Sequence, residues 1–284
     1  MMRTVTTERL AEGFGFVEGP RWRDDRLFFS DMGTKQVLSV DLDGKVEEVA
    51  VVEARPSGIG WLPDGRMLVV AMRDRAVVRV EADGSIVTHA DISHLATADC
   101  NDMVVDGRGN AYVGNPGYDM RNPPSPLPPA QLVLVRADGT SQIVDEQVVF
   151  PNGPAVTPDG RTLIVAETMG RKLTAFDIND DGTLSNRRLF ADLDRRMPDG
   201  IALDAEGAVW FADAGGDACV RVREGGEITD VIETGRGCFA CALGGDDGRT
   251  LFLLTGEGFS GEAMRKRTGA IETTRVGVPA AAQS

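Results

Sequence analysis

The chain has 284 residues, 42% hydrophobic and 26% charged, the composition of a folded globular protein with room for a sizeable core. Thirty Lys and Arg against 44 Asp and Glu give a formal charge of -14, which repels a phosphate backbone and excludes nucleic acid as an expected partner. No run approaches the ~18 apolar residues of a bilayer span. The opening MMRTVTTERL lacks the apolar segment of a secretory signal, and four scattered cysteines make no disulfide framework, so a cytoplasmic protein without membrane contact is expected.

In chain order, TVTTERLAEG (4–13) has the composition of a lone strand, and the chain beyond it is repetitive. VEGPRWRDDRLFFSD (17–31), PSGIGWLPDGRMLVVA (56–71), CNDMVVDGRGNAYVGN (100–115), PNGPAVTPDGRTLIVAE (151–167), PDGIALDAEGAVWFAD (198–213) and CFACALGGDDGRTLFLLT (238–255) share one pattern. Each has a small or polar opening, a short strand, a turn and a strongly apolar second strand. Further strands come after these in most copies, as in VVRVEADGSIVTHA (77–90) and LTAFDINDDGTLSNRRLF (173–190). Asp-Gly pairs punctuate the strands at Asp43-Gly44, Asp64-Gly65, Asp83-Gly84, Asp106-Gly107, Asp138-Gly139, Asp159-Gly160, Asp181-Gly182 and Asp247-Gly248. They predict two-residue hairpin turns of the primed types, which place positive φ at their central residues. The chain reads as all strand.

Copies recur every ~40–50 residues, the length of a four-stranded propeller blade. The expected fold is an all-β, six-bladed β-propeller with four antiparallel strands per blade, one domain over 1–284, with blades opening near 16, 56, 100, 151, 198 and 238. The last copy ends one strand short, after GAIETTRVGV (269–278). Segment 4–13 is expected to complete that blade and remove its open edge.

The first strand of each blade lines a propeller's channel, so one phase of the repeat becomes a ring around its mouth. The residues opening the copies are Glu18, Ser57, Asn101, Asn152, Asp199 and Ala240. Four of them offer carboxylate or amide oxygens, which are costly to gather in a narrow mouth unless a cation joins them. Bonding to loop backbone is the competing reading. An all-oxygen donor set suits calcium, magnesium or manganese, whereas zinc usually recruits His or Cys.

Other features carry plainer expectations. Asp177, Asn179, Asp181 and Gly182 begin like a calcium loop, but Arg188 stands where a bidentate Glu is required, so a solvated hairpin is expected. Cys238 and Cys241 lack a second pair and are expected to be buried as small apolar residues, while His89 and His94 are read as surface or packing groups. NPGYDMRNPPSPLPPA (115–130), with six of 14 prolines, must be a loop. It is either a passive surface loop or a lid or wall of the mouth, with Tyr118 and Met120 as apolar substrate contacts.

FVEGPRW, CNDMVVDGRGNAYVGN, PNGPAVTPDGRTLIVAET and MPDGIALDAEGAVWFAD together resemble the senescence marker protein, gluconolactonase and luciferin-regenerating enzyme family, and the resemblance covers essentially the whole chain. It implies a six-bladed propeller with one catalytic divalent cation, calcium first and magnesium, manganese or zinc as alternatives. The metal ligands would be the residues matching Glu18, Asn152 and Asp199, with Asn101 on metal or substrate. The implied activity is hydrolysis of a lactone or related cyclic ester, the small-molecule partner of the site, with Asp199 as general base or water-orienting group. A propeller that only binds calcium or a small molecule, and a phosphoester hydrolase on the same metal, are the competing functions. No G-x-S-x-G elbow offers a rival nucleophile.

One departure bears on substrate. Sugar lactonases of this family commonly carry Arg two residues before the motif asparagine, and here that position is Asp99. Asp99 is therefore expected to disfavour acidic sugars and gluconolactone as substrates. Nothing in the sequence indicates an oligomeric state.

Overall fold

The computed structural model describes residues 6–282. Six four-stranded antiparallel sheets succeed one another along the chain. Blade one comprises Val17–Arg23, Arg26–Asp31, Gln36–Val40 and Val46–Val51, and blade two comprises Pro56–Trp61, Met67–Ala71, Ala76–Val80 and Ile86–Asp91. Blade three comprises Met103–Val105, Ala111–Val113, Ala130–Val135 and Ser141–Val148, and blade four Pro151–Val156, Thr162–Glu167, Lys172–Ile178 and Leu184–Asp192. Blade five comprises Pro198–Leu203, Val209–Asp213, Ala218–Val222 and Ile228–Glu233. The first strand of each blade touches the first strands of the blades before and after it, and blade six meets blade one, so the ring is closed.

Blade six is completed from the other end of the chain. Gly237–Gly244, Thr250–Gly256 and Gly269–Arg275 are joined in space by Glu8–Phe14, which pairs antiparallel with Gly269–Arg275. The expected closing strand is thus present within 4–13 and runs one residue beyond; residues 4 and 5 lie outside the described residues. Phe14 meets Phe29 edge-on at 5.1 Å, so the added strand also grips blade one.

The second strands explain the apolar runs in the sequence. Met67–Ala71 and Val209–Asp213 are buried at every residue because both sheet faces are covered by neighbouring blades. Outer strands such as Val46–Val51 face solvent and alternate only weakly. The core accordingly lies between blades, as where Leu68, Val70 and Val77 pack on Met103, Ala111 and Val133.

Two expectations need correction. The Asp-Gly turns are not primed two-residue turns: Gly44 has φ 82° while Asp43 is not in the positive-φ region. Gly44 N donates to Asp41 O and Asp41 N to Lys45 O, the three-residue pattern in which a turn ends in a left-handed glycine bulge. Leu62–Arg66, Glu81–Ser85, Arg136–Thr140 and Asn179–Thr183 repeat it, the last being the expected solvated hairpin. Asp is needed for its side chain instead, as when Asp83 Oδ1 accepts from Ser85 N at 2.9 Å. Nor is the chain all strand, since a short helix, Gly261–Lys266, forms between two strands of blade six. Ser260 caps it by accepting from Ala263 N, and Met264 is buried.

Candidate functional site

The register of first against second strands aligns the blades more strictly than sequence phase does. In blade five Pro198 pairs with Asp213 and Ile201 with Phe211, and in blade six Cys238 pairs with Thr255 and Cys241 with Leu253. Phe239, not Ala240, therefore occupies the position of Asp199, and the ring is Glu18, Ser57, Asn101, Asn152, Asp199 and Phe239. Ala240 belongs to the next position, held by Gly19, Gly58, Gly153 and Gly200 in four other blades. These small residues let adjacent first strands approach: a Cβ on Gly153 would lie 2.7 Å from Asp199 O, and one on Gly200 2.6 Å from Ala240 Cβ.

Blade three breaks that rule with Asp102, which a single phase of the repeat does not select. It is 2% exposed, Met103 N donates to its Oδ1 at 2.8 Å, and the Arg21 guanidinium lies 3.4 Å away. Its signal in the sequence is an acidic residue at the phase reserved for glycine.

The ring is tied together by its own amides. Ser57 Oγ donates to Asn101 Oδ1 at 3.3 Å, Asn101 Nδ2 to Asn152 Oδ1 at 2.8 Å, and Asn152 Nδ2 to Thr168 Oγ1 at 3.2 Å. Thr168 in turn donates to Pro198 O at 2.7 Å, next to Asp199. Glu18 and Asp199 are 4% and 7% exposed. Glu18 Oε2 accepts from Gly19 N, whereas Asp199 Oδ1 is buried with no hydrogen-bond partner among the described residues. Burial first, and then the charges of Asp199 and Asp102, hold the Glu18 carboxyl well above the usual carboxylate range. Burial and Asp102 do the same to Asp199, and burial raises Asp102 against the opposing pull of Arg21. No three His, Cys, Asp or Glu side chains among the described residues form a ready cation cluster, the amides being outside that count.

The walls differ around the mouth. On the side of blades six and one, Phe16, Met32, Phe239 and Met264 form an apolar cluster, with Phe259, 55% exposed, 6.2 Å from Phe16 between ring centres. The 115–130 segment is a loop, as expected, and leaves the mouth beside Asn101, whose N donates to Gly114 O. Tyr118 reaches Phe150, two residues before Asn152, at 6.1 Å, whereas Met120 is 43% exposed. Asp99 is exposed, and the charges of Arg55, Arg121 and the buried Cys100 thiol all respond to it. Cys238 and Cys241 are buried, and His89 is half-buried against Arg136 O. A cavity of about 720 Å³ lies at the far ends of the first strands, lined by Arg21, Trp61, Val104 and Ala242 among others. It contains no ring residue, so the titratable chemistry belongs to the opposite mouth.

Fold and site together define a six-bladed propeller whose narrow mouth is lined by buried carboxylates and bridged amides. Residues 16–257 match the family described as the SMP-30/gluconolactonase/LRE-like region, and the chain belongs to that family. It is 27% identical over 283 residues to 6-deoxy-6-sulfogluconolactonase of Pseudomonas putida, covering 94% of this chain and 93% of the relative. It is 27% identical over 255 residues to pentonolactonase XacC of Haloferax volcanii, covering 86% and 84%. A solved structure from Agrobacterium tumefaciens, described as a calcium-binding protein, regucalcin, shares the fold with a TM-score of 0.82 at 19% identity over 100% of this chain and 98% of that one. No helix among the described residues is long and apolar enough to cross a membrane.

Proposed function

We propose that the protein is a lactonase that hydrolyses a lactone or related cyclic ester at a divalent cation held in the mouth. The observation that carries this reading is Asp199 Oδ1, buried without a donor beside Glu18 and Asp102. Like charges gathered out of water are unfavourable unless a cation offsets them, and an all-oxygen set fits a hard cation, calcium before magnesium, manganese or zinc. Both named relatives support lactone opening as the reaction.

Glu18, Asn152 and Asp199 would hold the cation, which when bound polarises a carbonyl and offsets the charge growing on its oxygen. Thr168 fixes the Asn152 amide by accepting a hydrogen bond from its Nδ2, which leaves Oδ1 as the oxygen on the side of Asn101. Asn101, donating to that Oδ1, would touch the cation or the substrate. Asp199, kept basic by burial and by Asp102, accepts a proton from the attacking water. The apolar side made by Phe16 and Phe239 takes the body of the substrate, with Tyr118 contributing from the opposite loop and Met120 at its outer margin. Asp99 stands where sugar lactonases of the family carry Arg, so gluconolactone is not expected to be the best substrate.

The test is a lactone panel with chelated protein, repeated after adding back calcium, magnesium, manganese or zinc. Turnover restored by one or more cations, with kcat/KM for gluconolactone below that of another lactone, supports the reading. Undiminished turnover after chelation removes the cation from the mechanism, and absence of turnover with every cation leaves a binding propeller.

A further inference from the structure

The position two residues before the ring forms a second, outer circle: Phe16, Arg55, Asp99, Phe150, Met197 and Gly237. Asp99 taken alone makes the mouth hostile to anions. Its neighbour at the same phase of blade two is Arg55, succeeded by Pro56 and then by Ser57, which donates to Asn101. Arg55 N donates to Val52 O and Met72 N donates to Arg55 O, each at 3.0 Å, so the backbone at the rim is fixed on both sides. The residue has φ 71°, a left-handed conformation that a side chain adopts at a cost, and Phe150 shares it at the same phase with φ 55°.

Arg55 is half-buried, and among the described residues its side chain makes no hydrogen bond or close ion pair. Burial and the adjacent Arg73 weaken its hold on its proton, with Asp99 opposing. The exposed carboxylate of Asp99 thus lies near Arg55 at a place where two guanidinium groups, Arg55 and Arg73, are neighbours, in a protein whose net charge is -14. Each presents donors in a planar fork that matches a carboxylate, sulfonate or phosphate. Two neighbouring cations repel, and an anion brought to the rim would offset both.

We propose that Arg55, backed by Arg73, anchors an anionic group on the substrate and so selects lactones bearing a negatively charged substituent. This rests on the lactonase reading for the identity of the ligand, but not for the presence of the anion site. On this proposal the Arg that family members carry in blade three is supplied one blade earlier, and Asp99 offsets the charge of Arg55 when no substrate is bound.

The experiment uses two matched pairs of compounds, in calcium-containing buffer, with the parent protein and the variants Arg55→Met and Arg55→Lys. One pair is a γ-lactone bearing a free carboxylate and the same lactone with a carboxamide, read as KM and kcat. The other is the corresponding pair of lactams, which resist hydrolysis, read by calorimetric binding. The parent should favour carboxylate over carboxamide by about tenfold or more in both measurements, the scale of a hydrogen bond to a charged group. Arg55→Met should erase that preference through KM more than kcat, Arg55→Lys should keep part of it, and both should melt with the parent, since each retains a Cβ at the same φ. No preference in the parent, or equal loss on both members of a pair, overturns the proposal. Carboxylate-selective lactam binding through Arg55 without turnover of either lactone sustains it while refuting the lactonase reading.

Discussion

The Asp199 carboxylate sits among like charges with one oxygen that meets no donor, and two expectations arise from that residue. Asp199→Asn keeps the size of the group and removes the charge that accepts a proton. At saturating cation, lactone hydrolysis should fall at least ~10²-fold, the lower end for a positioned acid-base group, with thermal unfolding measured alongside to show that the variant folds. The second expectation concerns pH. Glu18, Asp199 and Asp102 all hold their protons more tightly folded than unfolded, so the folded state takes up protons. The contribution of these three groups to the stability of the chelated protein is therefore fully present below the ordinary carboxylate range and is lost as pH rises from there toward the raised folded values. Thermal melts from pH 4.5 upward should show Glu18→Gln losing less stability, or gaining more, with rising pH than the chelated parent, and added calcium should stabilise the parent increasingly as pH rises; the same pH slope in parent and variant would contradict the assignment. At this scale the sequence is legible only in part. Glu18, Asn101, Asn152 and Asp199 announce themselves through repeat phase, but Phe239 is displaced by one position because Phe-Ala replaces the usual polar-Gly pair. Asp102 and Arg55 escape a reading by phase because each lies where other blades carry different chemistry.

Strands are more legible than turns, because burial on both faces writes itself as a continuous apolar run while a turn's hydrogen bonds do not. The Asp-Gly pairs locate the hairpins they mark, yet the same dipeptide serves primed turns and glycine bulges, and only backbone φ distinguishes them. The Gly261–Lys266 helix leaves no periodic signal in six residues and is held by its caps and by Met264 packing near Phe16. Close approach of neighbouring first strands makes a sharp prediction here. A Cβ on Gly58 would lie 2.2 Å from Met103 N and 2.8 Å from Asp102 C, so Gly58→Ala must push blade three away from blade two. Overpacking of this kind costs about 1–3 kcal/mol, and the displacement carries Asn101 with it. Both the melting temperature and kcat/KM should drop, more than for Gly65→Ala, where a Cβ meets nothing within 4 Å and only the φ of 86° resists. Equal effects at the two glycines would show that strand approach does not position the site.

Across the whole molecule, closure depends on Glu8–Phe14. Thr7 donates to buried Glu272 at 2.6 Å, Arg9 meets the same carboxylate at 3.2 Å, and Arg267 Nε donates to Gly13 O at 2.6 Å. Removing residues 1–14 would uncover the edge of Gly269–Arg275 and part of the contact with blade one. The truncated protein should lose its sharp melt and associate in size-exclusion chromatography with light scattering, as exposed strand edges do. A monomer with the parent's melting temperature would show that the first strand is dispensable.

That closure also sets an order of events in time. Thr7 and Glu272 are 265 positions apart. A ribosome adding ~5–20 residues per second separates their emergence by roughly 13–50 s, far longer than a hairpin takes to form. Blades one to five can each pair internally as they emerge, while the first strand made is the last to find its partner. Throughout that interval its backbone donors and acceptors are free, and the nascent chain is an open arc with two unsatisfied ends. The mouth is finished at the same moment, since Phe239 and the Phe16 cluster it joins straddle the seam. The closed mouth therefore forms only with that final strand pairing.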